Sequence, residues 1–307
     1  MARIRAHALH HWLLLGTLVL IWGCAFILNK TGLETLPPAV IVFGRVLIAS
    51  VVLSGLVVAL KPRFPLSRSF FLSVLLMALI GNVVPFFLIT WGQEAVPSAS
   101  TGILMAVMPL TIIVLAHFFV TEEPLTAGKF AGFGIGFVGI LVLMGPGAVK
   151  ALSGDMRTLV HELAILGGAT LYATNVIITR RLPPMHPLAV SASVMFAGLC
   201  VMAPLGVPAT LHALDQASLR SVVAVALLGV FTTAIATVLY YELIRRAGAG
   251  FYAITNYLVP VMATVVGATL GRERLGLNVF VALALILLGI AVSRMAKQRA
   301  PGAVEEL

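Results

Sequence analysis

The sequence predicts an all-α, polytopic membrane protein whose ten transmembrane helices form two inverted five-helix repeats. Three observations carry that expectation. Of the 307 residues, 60% are hydrophobic and only 10% are charged, with a mean hydropathy of +1.09. A soluble domain is about 45–50% apolar and about 25% charged, so lipid must solvate much of this chain. Ten apolar runs are long enough to span a bilayer. Finally, the second half of the sequence repeats the first.

A spanning helix needs about 20 apolar residues. The runs fall at 12–29, 38–60, 69–93, 98–120, 126–146, 159–180, 186–207, 218–244, 249–271 and 277–295. The connections between them are short, which leaves no room for a soluble domain. The longest, from Gly145 to Arg157, lies at the midpoint and is rich in Gly, Pro and small residues. It divides the chain into a first repeat (1–146), a linker (147–158) and a second repeat (159–307). Arg3 and Arg5 followed by an apolar run from Trp12 resemble a signal peptide. Trp22 is too bulky for a small-residue cleavage site, so the run reads as an uncleaved first helix.

The bases set the expected orientation. With the N-terminus inside, 13 Lys and Arg lie at inner helix ends and 6 at outer ends, and Arg45 alone sits within a span. Positive charge accumulates on the cytoplasmic side, so both termini are expected in the cytoplasm. The net charge of +9 serves this orientation and contact with anionic head groups. Nucleic acid is not an expected partner.

The repeat is visible residue by residue. A shift of 151 carries Glu94 through Glu122 onto Arg245 through Glu273, placing Pro109 on Pro260 and Glu122 on Glu273. A shift of 150 carries Phe130 onto Phe280, Gly139 onto Gly289, and Trp22 through Lys30 onto Tyr172 through Arg180. Five helices per repeat is an odd number, so the halves insert with opposite orientation. Inverted repeats provide two pseudo-equivalent gates around a midplane site, as in secondary transporters.

The segment AVPSASTGILMAVMPLTIIVLAHFFVTEEPLTAGKFAGFGIGFVGILVLM and its second copy GAGFYAITNYLVPVMATVVGATLGRERLGLNVFVALALILLGIAVSRM resemble the repeat of the drug/metabolite transporter superfamily, in its ten-helix EamA-type branch. Trp22-Gly23 and Arg45 through Ala49 fit the same pattern. By overall likeness the chain is most similar to bacterial aromatic amino-acid exporters of the inner membrane. The resemblance implies alternating-access export of small organic metabolites, with aromatic or other neutral amino acids first and other metabolites or drugs as the alternative.

Polar and aromatic residues recur at helical spacing inside the spans, where they are costly unless they face protein or water. The candidate substrate-binding set is Trp22, Phe26, Asn29, Arg45, Asn82, Trp91, Gln93, Tyr172, Asn175, Tyr240, Tyr241, Tyr252 and Asn256. The stripes also contain Phe86, Ile89, Thr179, Thr233 and Thr237. One reading is a cavity with aromatic walls and amide hydrogen-bonding groups. The competing reading is helix–helix contact and aromatic interface belts, which is stronger for Trp91, Gln93, Tyr240 and Tyr241 near helix ends. Arg45 either binds a substrate carboxylate through its planar fork or holds helix ends together. Pro109 and Pro260 are candidate gating hinges, because a mid-helix proline frees a carbonyl one turn back.

Gly132, Gly136 and Gly139, and Gly267 and Gly271, form small-residue faces suited to packing within the bundle, and the protein is expected to act as a monomer. Cys24 and Cys200 read as structural thiols. The His7, His10 and His11 cluster has no acidic or Cys neighbour, so neither a metal nor a cofactor is expected. All eleven acids fall in loops, tails or helix ends. Exchange of a proton for an organic cation needs a buried carboxylate. Its absence from mid-span favours neutral or zwitterionic substrates. An intramembrane enzyme is not expected: there is no HExxH, GxSxG or mid-span Asp pair. A channel fits the inverted repeat poorly.

Overall fold

The computed structural model describes residues 2–62, 64, 67–119, 127–152, 156–179, 186–252 and 254–298. Among them every regular element is helical. The helices are α1 (Ala2–Gly32), α2 (Pro38–Leu60), α3 (Arg68–Gly92), α4 (Ser98–Phe119), α5 (Ala127–Leu152), α6 (Arg157–Thr179), α7 (Pro187–Ala213), α8 (Leu219–Leu227, continuing to Tyr252), α9 (Thr255–Thr269) and α10 (Leu277–Gln298). Seven carry segments long and apolar enough to cross a membrane. α5, α9 and α10 carry shorter apolar stretches, Phe130–Gly145, Leu258–Thr269 and Leu277–Val292.

Local chemistry sets the helix starts. The hydroxyl of Ser67 accepts from the Phe70 N–H and that of Ser218 from the Ser221 N–H, each at 3.1 Å. These caps relieve the unpaired amides that open α3 and α8. They are 151 residues apart and so belong to the repeat. Pro37 and Pro97 stand extended before α2 and α4, a backbone that fits helix entry. Lys61 closes α2 in the left-handed region (φ 45°) and donates its N–H to the Val57 carbonyl.

The halves interlock. α2 packs on α7 and α5 on α10, pairing each helix with its repeat counterpart. α1 packs on α8 and α9 of the second half, while its counterpart α6 packs on α3 and α4 of the first. Opposite orientation is visible at one end of the bundle. Lys30, at the C-terminal end of α1, reaches the α3–α4 turn, and His161, near the N-terminal end of α6, stacks on Trp91 of α3. α1 ends where α6 begins.

Several helix boundaries differ from the sequence reading: α1 begins at Ala2, ahead of 12, and α7 runs to Ala213, beyond 207. α5 continues to Leu152, because Ala148–Leu152 are good helix formers, so helix covers part of the stretch assigned to the linker. α8 runs through Gly248 and Gly250 to Tyr252. The break before α9 therefore comes later than expected, and Tyr252 belongs to α8. Its carbonyl accepts from the Thr255 hydroxyl (2.8 Å). Its ring packs edge-on against Tyr240 and Trp22, at centroid distances of 4.8 and 6.2 Å.

Candidate functional site: a central polar and aromatic cavity

Two helices depart from α-geometry at matching places. α3 contains a π-helical stretch, Leu79–Val83, and α8 another, Leu228–Ile235. A shift of 150 places the first inside the second. π-Turns inside α-helices often mark functional sites, since the extra residue re-aims side chains. Here the Asn82 amide nitrogen donates to the Met77 carbonyl at 3.2 Å, five residues back. The Thr233 hydroxyl donates to the Leu228 carbonyl at 3.0 Å, also five back. A shift of 151 superposes both donor and acceptor in sequence.

These turns flank a cavity of about 320 Å³, within the roughly 300–1,000 Å³ typical of small-ligand sites. Trp22, Phe26 and Asn29 line it from α1, Arg45 from α2, Asn82 from α3, Gln93 from just past the end of α3, Pro109 from α4 and Tyr172 from α6. Tyr252 lines it from α8, and Asn256 and Pro260 from α9. Further lining comes from Phe86, Thr90, Met105, Thr232, Thr233, Thr237 and Thr255. The described lining contains no Asp or Glu.

Arg45 is the cationic group of this cavity. Its Nε donates to the Thr233 hydroxyl at 2.7 Å, and its guanidinium carbon lies 3.8 Å from the centre of the Phe86 ring. Cation–π stacking and one hydrogen bond thus fix the plane of the fork. Among the described residues no carboxylate pairs with Arg45, and its two terminal amino groups have no protein acceptor.

The remaining sequence candidates lie elsewhere. Tyr240 is behind the cavity wall, against Trp22 and Tyr252. Trp91 stacks on His161 with centroids 4.5 Å apart. The Asn175 amide packs against Gly81, with Oδ1 buried and unpartnered. The Tyr241 side chain and Glu122 lie outside the described residues. The two prolines both line the cavity but differ locally. Before Pro109 the helix tightens to i→i−3 bonds at Ala106 and Val107. Pro260 sits within continuous helix, its carbonyl accepting from the Thr264 hydroxyl.

One end of the cavity is closed by hydrogen bonds. The Asn29 amide donates to Gln93 Oε1 (2.8 Å) and Thr90 Oγ1 (3.1 Å), and the Gln93 amide donates to the Phe26 carbonyl (2.9 Å). All three polar side chains are buried. Lys30 adds a bond to the Gln93 carbonyl. Farther out, Glu273 accepts from the backbone N–H groups of Ser98 (2.6 Å) and Ala99 (2.9 Å). A carboxylate from the α9–α10 connection thereby caps α4, where negative charge complements the helix dipole. Asn29 and Gln93 thus bond chiefly to protein. The cap was foreshadowed only by the match of Glu122 to Glu273; which helix the acid would meet is a tertiary fact.

Among the described residues, Glu162 is the most deeply buried acid. It is buried six residues into α6, with Oε2 unpartnered, beside a buried His161 whose Nε2 lies 3.8 Å from a Glu94 oxygen. This cluster belongs to the closed end and is separate from the cavity lining.

A helical bundle of interlocked, oppositely oriented halves around a polar cavity has the build of a membrane solute transporter. The sequence pattern of the EamA-like transporter family matches residues 11–145 and again 160–295, and the chain belongs to that family. A probable terminal-alkyne amino-acid exporter of Streptantibioticus cattleyicolor is 28% identical over 255 residues, covering 83% of each chain. The uncharacterized inner membrane transporter YedA of Escherichia coli (strain K12) is 27% identical over 294 residues, covering 94% of this chain and 91% of the relative. A solved protein structure matches with a TM-score of 0.62 at 20% identity, over 94% of this chain and 99% of the other. That last likeness concerns the fold. The chain is thus a multi-pass membrane protein of a transporter family and not an enzyme.

Proposed function

We propose that this protein exports aromatic or other neutral amino acids across the inner membrane by alternating access, as a monomer with both termini in the cytoplasm. The observation that carries the reading is Arg45. An oriented guanidinium with two unclaimed amino groups, in a cavity walled by Trp22, Phe26, Phe86, Tyr172 and Tyr252, suits a carboxylate that bears an apolar side chain. The absence of carboxylates from the described lining disfavours organic cations and a proton-for-cation exchange. Kinship with a probable amino-acid exporter supports the same class.

Purified protein in liposomes tests this. Saturable phenylalanine flux with counterflow is expected without an imposed pH gradient. Flux that depends wholly on the gradient would overturn the uncoupled mechanism. Failure to move any member of an amino-acid panel would overturn the substrate class.

A further inference from the structure

We infer that Asn82 Oδ1 is the acceptor for the substrate's ammonium group, so that Arg45 and Asn82 together select zwitterions; the inference rests on the amino-acid reading above.

The two π-turns supply the argument. Asn82 and Thr233 are repeat counterparts, and each ties its donor to the carbonyl five residues back. In the second half that tie leaves the Thr233 oxygen as an acceptor, and the protein fills it with a cation, the Nε of Arg45 at 2.7 Å. In the first half the equivalent tie fixes the orientation of the Asn82 amide. A carbonyl can only accept, so the group facing Met77 must be the NH₂, and Oδ1 is the free end. No cation fills it. At shifts of 149 to 151 Arg45 falls on Val194, Met195 or Phe196, all apolar. Val194 and Met195 are buried in an apolar cluster that includes Met77. The repeat therefore provides two acceptors but only one arginine.

Position and charge fit an ammonium at the second acceptor. Asn82 lines the cavity one helical turn from Phe86, and Phe86 carries the Arg45 guanidinium on its ring. Donor fork and free acceptor thus line one cavity, into which a single α-amino acid brings both a carboxylate and an ammonium. With no acid in the described lining, a neutral amide oxygen is a suitable partner for an ammonium whose charge is balanced within the substrate.

The test compares phenylalanine with 3-phenylpropionate, which keeps the ring and carboxylate but lacks the ammonium, in liposomes holding wild-type, Asn82→Leu or Asn82→Thr protein. Wild type should favour phenylalanine by roughly 10- to 100-fold in apparent affinity, the range for a hydrogen bond to a charged group. Asn82→Leu should erase that preference by weakening phenylalanine far more than 3-phenylpropionate, and an unfolding midpoint in detergent close to that of the wild type shows that the variant is folded. Asn82→Thr, which copies Thr233, should restore much of it. Preference retained in Asn82→Leu, or an equal loss for both compounds, would overturn the role of Asn82 while leaving the amino-acid reading intact. A wild-type protein that moves no amino acid would overturn that reading, and this inference with it.

Discussion

Replacing Glu273 with glutamine removes a charge from the start of α4 while nearly preserving shape. In the wild type both carboxylate oxygens accept backbone N–H bonds, from Ser98 and Ala99. Glutamine keeps one acceptor and turns an NH₂ toward the other N–H. The loss is one hydrogen bond to a charged group, about 1.5–3 kcal/mol, together with a helix-terminus charge term of about 0.3–1 kcal/mol. Glu273 is only half-buried, which argues for the low end, about 2 kcal/mol. If alternating access must break this cap, the closed arrangement loses roughly 30-fold in its equilibrium with the open one. The assay uses Ala25→Cys as a reporter in the cavity, with Cys24 and Cys200 replaced by Ser. Labelling by a membrane-impermeant maleimide from the closed face should accelerate by roughly 30-fold at most in Glu273→Gln. Labelling from the opposite face should fall. Unchanged labelling from both faces would refute the idea that the cap holds this end shut.

Gly289→Ala should destabilise the bundle by about 1–3 kcal/mol, because a Cβ there would lie 2.5 Å from the Gly132 carbonyl oxygen and 2.6 Å from the Gly136 nitrogen; an unaltered thermal unfolding midpoint in detergent would contradict the packing. Pro109→Ala and Pro260→Ala each restore an N–H and should bias cavity accessibility in opposite directions, and the same labelling assay detects it. The local difference between the two sites predicts the larger effect at Pro109; normal transport and accessibility in both variants would reduce the prolines to passive kinks. Tags on the two termini should both report the cytoplasm, and reports from opposite sides would refute the topology drawn from the base count.

The repeat was legible because it fixes residue types at a constant offset, and helix number followed from hydropathy alone. Most of the cavity lining was legible too, since a polar stripe in an apolar helix has few places to point. Misplacement came where spacing could not distinguish neighbouring faces. Asn175 shares the α6 stripe with Tyr172, yet it packs against Gly81 and not the cavity. Trp91 lies two residues before Gln93; Gln93 lines the cavity and enters the closing network, whereas Trp91 meets His161 instead. The π-turns were hidden, because one extra backbone residue per turn leaves no compositional mark in Leu79–Val83. The caps at Ser67 and Ser218 could have been found from Ser before an apolar run at the repeat offset.

The interlocking of the halves also orders events in time. α1 completes its packing only against α8 and α9, and Gly23 sits where any side chain would meet Met262. About 220 residues separate the end of α1 from the start of α9, so at ~5–20 residues per second of synthesis the first helix waits roughly 10–45 s for its neighbours. Through that interval Asn29 already has Thr90 and Gln93 within reach once α3 emerges, whereas Trp22 lacks the tyrosines that will cover it. The closing network of the first half is thus satisfied early, while Arg45 still awaits Thr233 and the start of α4 awaits Glu273, a sequence of events that leaves the membrane itself as the temporary occupant of the surface the second half will later claim.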